Sequence, residues 1–103
     1  MFSFVEKDWK TESTYDTNFA PIPERPGVYL LVNTDFNFQH EVLYVGSSKN
    51  LKQRQSRHEV LRVLSEMYDG LGVRFYFREE PDYLSVEKQL IKETQARFNT
   101  QWR

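Results

Sequence analysis

Tyr29 and Tyr44 each stand where an apolar, strand-like run meets a turn, in Gly27-Val28-Tyr29 and Tyr44-Val45-Gly46. Arg54 follows Tyr44 by ten positions, within Ser47-Ser48-Lys49-Asn50-Leu51-Lys52-Gln53-Arg54. A carboxylate, Glu87, then falls inside a later helical pattern. Two phenols, a guanidinium and a carboxylate form a set suited to cutting a phosphodiester. The phenol oxygens would converge on one attacking water. The planar fork of Arg54 would grip a phosphate oxygen and offset the charge of the transition state.

Each of these residues also has an ordinary structural use. Tyrosine has high strand propensity and commonly packs across a sheet, and an arginine on a helix is by default a surface residue. Leu84, Leu90, Ile91 and Thr94 define the expected inward stripe of the later helix, with Glu87 on that stripe or at its margin. A buried carboxylate needs a cation. From spacing alone the favoured partner is structural, Arg54 or Arg74, or the carboxylate reaches water at the edge of the stripe; a metal is the functional alternative. His58, one helical turn after Arg54, shares its face and reads first as a packing residue. His40, in a loop, has no expected role, and Asn99 reads as a helix terminator.

The bulk properties bound the answer. The 103 residues suffice for one domain with a modest core, and no repeat or low-complexity tract divides them. At 39% hydrophobic and 28% charged, the chain is of ordinary globular composition. Absence of cysteine removes disulfides, thiol catalysis and thiolate metal sites. The N-terminus meets charges too early for a secretory signal, and no apolar run could span a bilayer, so a cytoplasmic protein with no membrane partner is expected. Net charge is −1, which argues against a generic basic coat for nucleic acid. Between positions 49 and 62, however, Lys49, Lys52, Arg54, Arg57 and Arg62 face only Glu59. A phosphate backbone needs one positive face, not a positive protein. A solvated basic helix face would look the same.

The elements that must position these residues follow from periodicity. Phe2, Phe4, Trp9 and Phe19 are expected anchors for an N-terminal extension over residues 1–23, which serves for packing, dimer contact or an extra grip on DNA. The domain proper is expected over 24–103. Pro21, Pro23 and Pro26 forbid helix before a central strand at Val28–Val32. The turn-rich Asn33–Asn37 then leads to a returning strand at Val42–Val45. Ser47 or Ser48 could cap a helix over Lys49–Met67, stopped by Gly70 and Gly72. Val73–Phe77 alternates as a third strand, and Asp82 after Pro81 is a natural N-cap for a helix over Tyr83–Arg97. The order β-β-α-β-α predicts an α+β fold, a small, mostly antiparallel three-stranded sheet flanked by helices.

Taken together, Pro26-Gly27-Val28-Tyr29, Tyr44-Val45-Gly46, Lys49 to Arg54, Glu87 and Asn99 resemble the GIY-YIG nuclease family across about residues 24–100. Tyr44 to Arg54 and Glu87 to Asn99 look most like the N-terminal incision domain of the bacterial excision-repair nuclease. His58, four after Arg54, is closer to the homing-endonuclease branch. The resemblance implies a DNA endonuclease with one Mg²⁺ (or Mn²⁺) held by Glu87, water and phosphate oxygens filling its shell. Tyr29 or Tyr44 would orient or deprotonate the attacking water, with Arg54 or Lys49 lowering the phenol pKa from about 10. Asn99 would hold the local architecture or a tyrosine, and Gly46, like Gly27, would let the chain pass close beneath the site. Lys49, Lys52, Arg57 and Arg62 would bind DNA, whether plain duplex, branched or damaged. A lysine expected after Tyr-Val-Gly in the repair branch is Ser47 here. With no room for a second domain in 103 residues, a targeting protein or a homodimer would supply specificity. A non-catalytic nucleic-acid-binding or protein-interaction module retaining the fold is the alternative; keeping Tyr29, Tyr44, Arg54, Glu87 and Asn99 together favours the enzyme.

Overall fold

The computed structural model describes residues 3–11, 20–56, 59–68 and 70–99, with backbone alone at 55, 56 and 59. Arg57 and His58 therefore lie outside the described residues, as do Phe2 and Phe19. A 3-10 turn at Glu6–Asp8 precedes β1 (Lys10–Thr11), β2 (Gly27–Thr34), β3 (His40–Ser48), α1 (Leu51–Ser56), α2 (Glu59–Met67), β4 (Gly72–Glu79) and α3 (Tyr83–Thr94). The strands form one antiparallel sheet in the order β1-β4-β2-β3. The α+β architecture is the one expected, with one strand more. The extra strand, β1, is too short to show a period of two. It pairs Lys10 with Phe77 and Thr11 with Tyr76, and Trp9 beside it is buried.

β2 is buried along its whole length because helices cover both faces of the sheet. Tyr29 and Leu31 pack on one side with Leu51 of α1, Leu64 of α2, Phe75 and Phe77. Val28, Leu30 and Val32 pack on the other with Trp9, Tyr76 and Leu90 of α3. Tyr76 alternates with Phe75 and Phe77 as the pattern required, yet it is buried too, since its side of the sheet is also covered. Burying each such side chain contributes roughly 1.5–3 kcal/mol before chain entropy is charged against it.

β3 carries one residue more than its partner. Leu31 pairs with Tyr44 but Val32 pairs with Val42, which leaves Leu43 as a bulge. A bulge shifts the phase of the alternation. Val42 packs on the α3 side, whereas both Leu43 and Tyr44 turn toward the α1–α2 side that holds Tyr29. β3 is also an edge strand, and the C-terminal segment covers its edge. Phe98 donates its N–H to the Leu43 carbonyl at 3.0 Å, which hides part of an otherwise sticky strand edge.

The helix expected over 49–67 appears as α1 and α2, on either side of residues 57–58. Its cap is neither Ser47 nor Ser48, which both belong to β3. Asn50 Oδ1 accepts from the Gln53 N–H at 3.0 Å, and Ser48 Oγ accepts from the Asn50 N–H at 3.1 Å. The proline segment completes the helix start. The Leu51 and Lys52 N–H groups donate to the carbonyls of Arg25 and Pro23, at 3.0 and 3.2 Å. Two of the orphan donors of the first turn are thereby satisfied by the chain that leads into β2.

α3 ends at Thr94, with Gln95 in the left-handed conformation at φ 49°, rather than at Arg97. Asp82 occupies its N-cap position, but its side chain makes no capping bond. The inward stripe keeps Leu90 and Ile91 as expected but not Leu84. Tyr83, Val86, Leu90 and Ile91 face the sheet, while Leu84 is 63% exposed. Spacings of three and four from Leu90 run back through Val86 to Tyr83, which leaves Leu84 about 100° off that line.

Candidate active site

The site lies at the end of β2 and β3 from which α1 departs. Tyr29 sits opposite Gly46 in the ladder, and Tyr44 is its diagonal neighbour on the same face. Their rings are stacked at 6.3 Å between centroids and 30° between planes. The other face of Tyr29 stacks on Phe75 at 4.8 Å. Held this way, Tyr29 is 1% exposed and Tyr44 6%. Gly46 makes the arrangement possible: a Cβ there would overlap the Tyr29 ring carbon and hydroxyl. A Cβ on Gly27 would likewise strike the Arg78 carbonyl and the Leu51 side chain, so the corner between β2 and α1 closes only on a glycine.

Arg54, on α1, donates from Nε to the Tyr29 hydroxyl oxygen at 3.3 Å. This bond, with the phenol's own partial charge, holds the guanidinium above its usual pKa. Burial pushes the Tyr29 phenol up to about 12; Arg54 pulls it down, while Tyr44 and Glu87 raise it further. The expectation that Arg54 would lower the phenol below its ordinary value is therefore not met. Desolvation outweighs one cation at a half-exposed position. At neutral pH Tyr29 is a phenol whose oxygen accepts from Arg54.

Glu87 approaches the same end of β3 from α3, half-buried at the margin of that helix's inward face. Ser47 donates from Oγ to Glu87 Oε1 at 2.9 Å. A hollow of 340 Å³ lined by Leu84, Ser85, Glu87, Lys88 and Ile91 borders the carboxylate. A larger hollow of 420 Å³, by His40, Glu41 and Arg97, lies at the opposite end of β3, away from these groups. His40 itself is bonded to Thr34 Oγ1 at 2.8 Å and faces Glu6 at 3.6 Å, which gives it a structural place.

Among the described residues there is no cluster of three or more His, Cys, Asp or Glu that could enclose a metal. One partly exposed carboxylate beside a hollow fits a hard cation that keeps most of its waters and does not fit a closed, all-protein cage. Asn99, also expected at the site, is buried and touches neither tyrosine in a hydrogen bond. Its amide is bonded to both backbone groups of Val45, between Tyr44 and Gly46. Lys49, Lys52 and Arg62 are exposed on the β3–α1 corner and α2. Two roles escaped the sequence reading, those of Ser47 as donor to Glu87 and Asn50 as helix cap. Both are short polar residues at a strand–helix junction, where several capping candidates crowd together.

A four-stranded antiparallel sheet with helices on both faces brings a glycine-backed tyrosine, an arginine and a carboxylate to one strand end. The chain matches the UvrC-like GIY-YIG domain family over residues 25–100 and belongs to it. Its relatives include the UvrABC system protein C of Hydrogenovibrio crunogenus, 30% identical over 96% of this chain and 16% of the relative. That of Bacteroides thetaiotaomicron is 36% identical over 92% of this chain and 16% of the relative. That of Brucella suis is 34% identical over 76% and 13%. The chain thus spans about one-sixth of the length of the first two of these relatives. No solved structure matches it significantly. Among the described residues, no helix is long and apolar enough to cross a membrane.

Proposed function

We propose that this domain is a metal-dependent DNA endonuclease of the kind that makes an incision during excision repair. The observation that carries the reading is the direct bond from Arg54 to Tyr29 at the same strand end as Glu87. A guanidinium there binds a phosphate oxygen through its remaining donors and stabilises the charge that accumulates as phosphorus becomes five-coordinate. The Tyr29 hydroxyl orients the attacking water by hydrogen bonding, with Tyr44 stacked beside it. As a phenol held near pKa 12, Tyr29 is an orienting group in this state and becomes a base only if further positive charge lowers it. Attack by the water oxygen forms the new P–O bond and releases the water's proton to solvent, while the bond from phosphorus to the 3′ oxygen breaks and that oxygen takes up a proton from solvent. Glu87 would hold one divalent cation, Mg²⁺ or Mn²⁺, which would supply Lewis-acid stabilisation at the leaving oxygen. Lys49, Lys52 and Arg62 give the backbone-tracking positive surface, and a targeting protein or a second copy would supply the choice of damaged or branched DNA over plain duplex.

The experiment is nicking of supercoiled plasmid and of branched DNA with Mg²⁺ or Mn²⁺, with chelator, and beside Glu87→Ala. Metal-dependent nicking that Glu87→Ala abolishes, in a variant that keeps its far-ultraviolet spectrum, is the expected result. Equal nicking by the variant overturns the assignment of Glu87. DNA binding by the wild type without nicking under any of these conditions moves the reading to a non-catalytic module with the nuclease fold.

A further inference from the structure

The residue that departs from the resemblance has a partner. Ser47 stands where a lysine was expected, immediately after Tyr44-Val45-Gly46, and its hydroxyl donates to Glu87 Oε1 at 2.9 Å. The two residues come from different elements and are 40 positions apart in sequence, so the contact is made by the tertiary fold. Ser47 pairs with Val28 across the ladder, on the side of the sheet that α3 covers. Its backbone position is therefore set by a fully buried neighbour strand.

We propose that Ser47 is a positioning residue that fixes the Glu87 carboxylate for cation binding, an inference that rests on the metal-dependent reading above. Glutamate has three rotatable side-chain bonds, and a half-exposed one at a helix margin samples several rotamers unless something holds it. A neutral donor on one oxygen orients the carboxylate without neutralising the negative charge that a cation would meet. A lysine in the same place would instead bring a compensating ammonium to the ligand. The hydroxyl thus does for a carboxylate what a backbone carbonyl does for a ligating histidine: it fixes the direction of the lone pairs and leaves the first coordination sphere alone. The same end of Ser47 retains acceptor capacity, so a cation-bound water also has a hydrogen-bond partner there.

The test is a titration of the whole chain with Mn²⁺, followed by the loss of the free aqua-ion signal in electron paramagnetic resonance, for wild type, Ser47→Ala, Ser47→Thr and Glu87→Gln. Outer-shell partners of this kind change metal affinity by about tenfold or more. Ser47→Ala is expected to bind Mn²⁺ about tenfold more weakly, Ser47→Thr to return toward wild type, and Glu87→Gln to lose the site. Nicking by Ser47→Ala is expected to recover as Mn²⁺ is raised. Ser47→Ala binding as tightly as wild type, with Glu87→Gln impaired, overturns the role of Ser47 and leaves the metal site standing. An impaired Ser47→Ala that Ser47→Thr does not rescue also overturns it, since a role in packing alone predicts that pattern. Glu87→Gln binding as the wild type does overturns the metal reading itself.

Discussion

Asn99 holds Val45 by both of its backbone groups: Oδ1 accepts from the Val45 N–H at 2.9 Å, and Nδ2 donates to the Val45 carbonyl at 2.7 Å. A side-chain amide here takes the place of a neighbouring strand on the outer edge of β3. It does so at the residue between Tyr44 and Gly46, so the site is held in register from outside the sheet.

Asn99→Ala leaves two buried backbone groups without partners, each worth about 1–3 kcal/mol. Unfolding in urea should show a loss of about 2–6 kcal/mol. Asn99→Asp should cost more, because a carboxylate oxygen would then face the Val45 carbonyl. An Asn99→Ala variant within about 0.5 kcal/mol of wild type would mean that water substitutes freely for the amide.

Gly46→Ala forces a Cβ into the Tyr29 ring. Overpacking of this kind costs about 1–3 kcal/mol, and displacement of the phenol should reduce nicking by about a hundredfold. The two positions should be coupled. In a double-mutant cycle, Gly46→Ala should cost distinctly less in a Tyr29→Leu background. Additive effects would show that the contact is absorbed elsewhere.

Tyr29 makes stability fall at high pH. Its folded pKa of about 12 lies above the unfolded value of 10, so the folded state holds the proton over that interval. The stabilisation is fully present below pH 10 and is lost as pH rises from there through 12. The size is roughly 3 kcal/mol for this almost fully buried group. Urea midpoints from pH 8 to 12 should drop steeply for wild type and much less for Tyr29→Phe; parallel curves would remove Tyr29 as the cause.

Arg54→Lys keeps a positive charge but loses the planar fork and the Nε bond to Tyr29. Nicking should fall by about 10²–10³, nearly as far as in Arg54→Ala. Stability should change by less than about 1 kcal/mol, because the bond is made by a partly exposed group. A fully active Arg54→Lys would reduce the role of Arg54 to charge alone.

How much of this could be read from residues depended on whether the signal was periodic. The β2–β3 hairpin was legible because Val28–Val32 is a continuous apolar run followed by turn residues. Spacing alone favoured structural roles for Tyr29, Arg54 and Glu87, and their convergence was legible only through the family resemblance that their order carries. β1 was not, since Lys10 and Thr11 are too few to show alternation and are ordered by pairing with β4. Leu84 misled the reading of α3: it fits a spacing of three and four as well as Tyr83 does, and only packing against the sheet chooses between them. Asn99 looked like a helix end because asparagine commonly is one, whereas the left-handed residue is Gln95, and Asn99 serves a strand. The raised pKa of Tyr29 depends on three-dimensional burial, which no local spacing reports.

The single bulge at Leu43 gives β3 an odd count where an even one would otherwise do. A strand is a two-state device, each residue facing one side or the other, and the extra residue inverts that parity halfway along. Upstream of it the strand is in phase with the α3 face; downstream, Tyr44 is in phase with Tyr29. Strand length between the hairpin turn and Tyr44 is therefore information in its own right. A one-residue deletion there would keep the composition almost unchanged and still move the tyrosine from the α1–α2 side of the sheet to the α3 side.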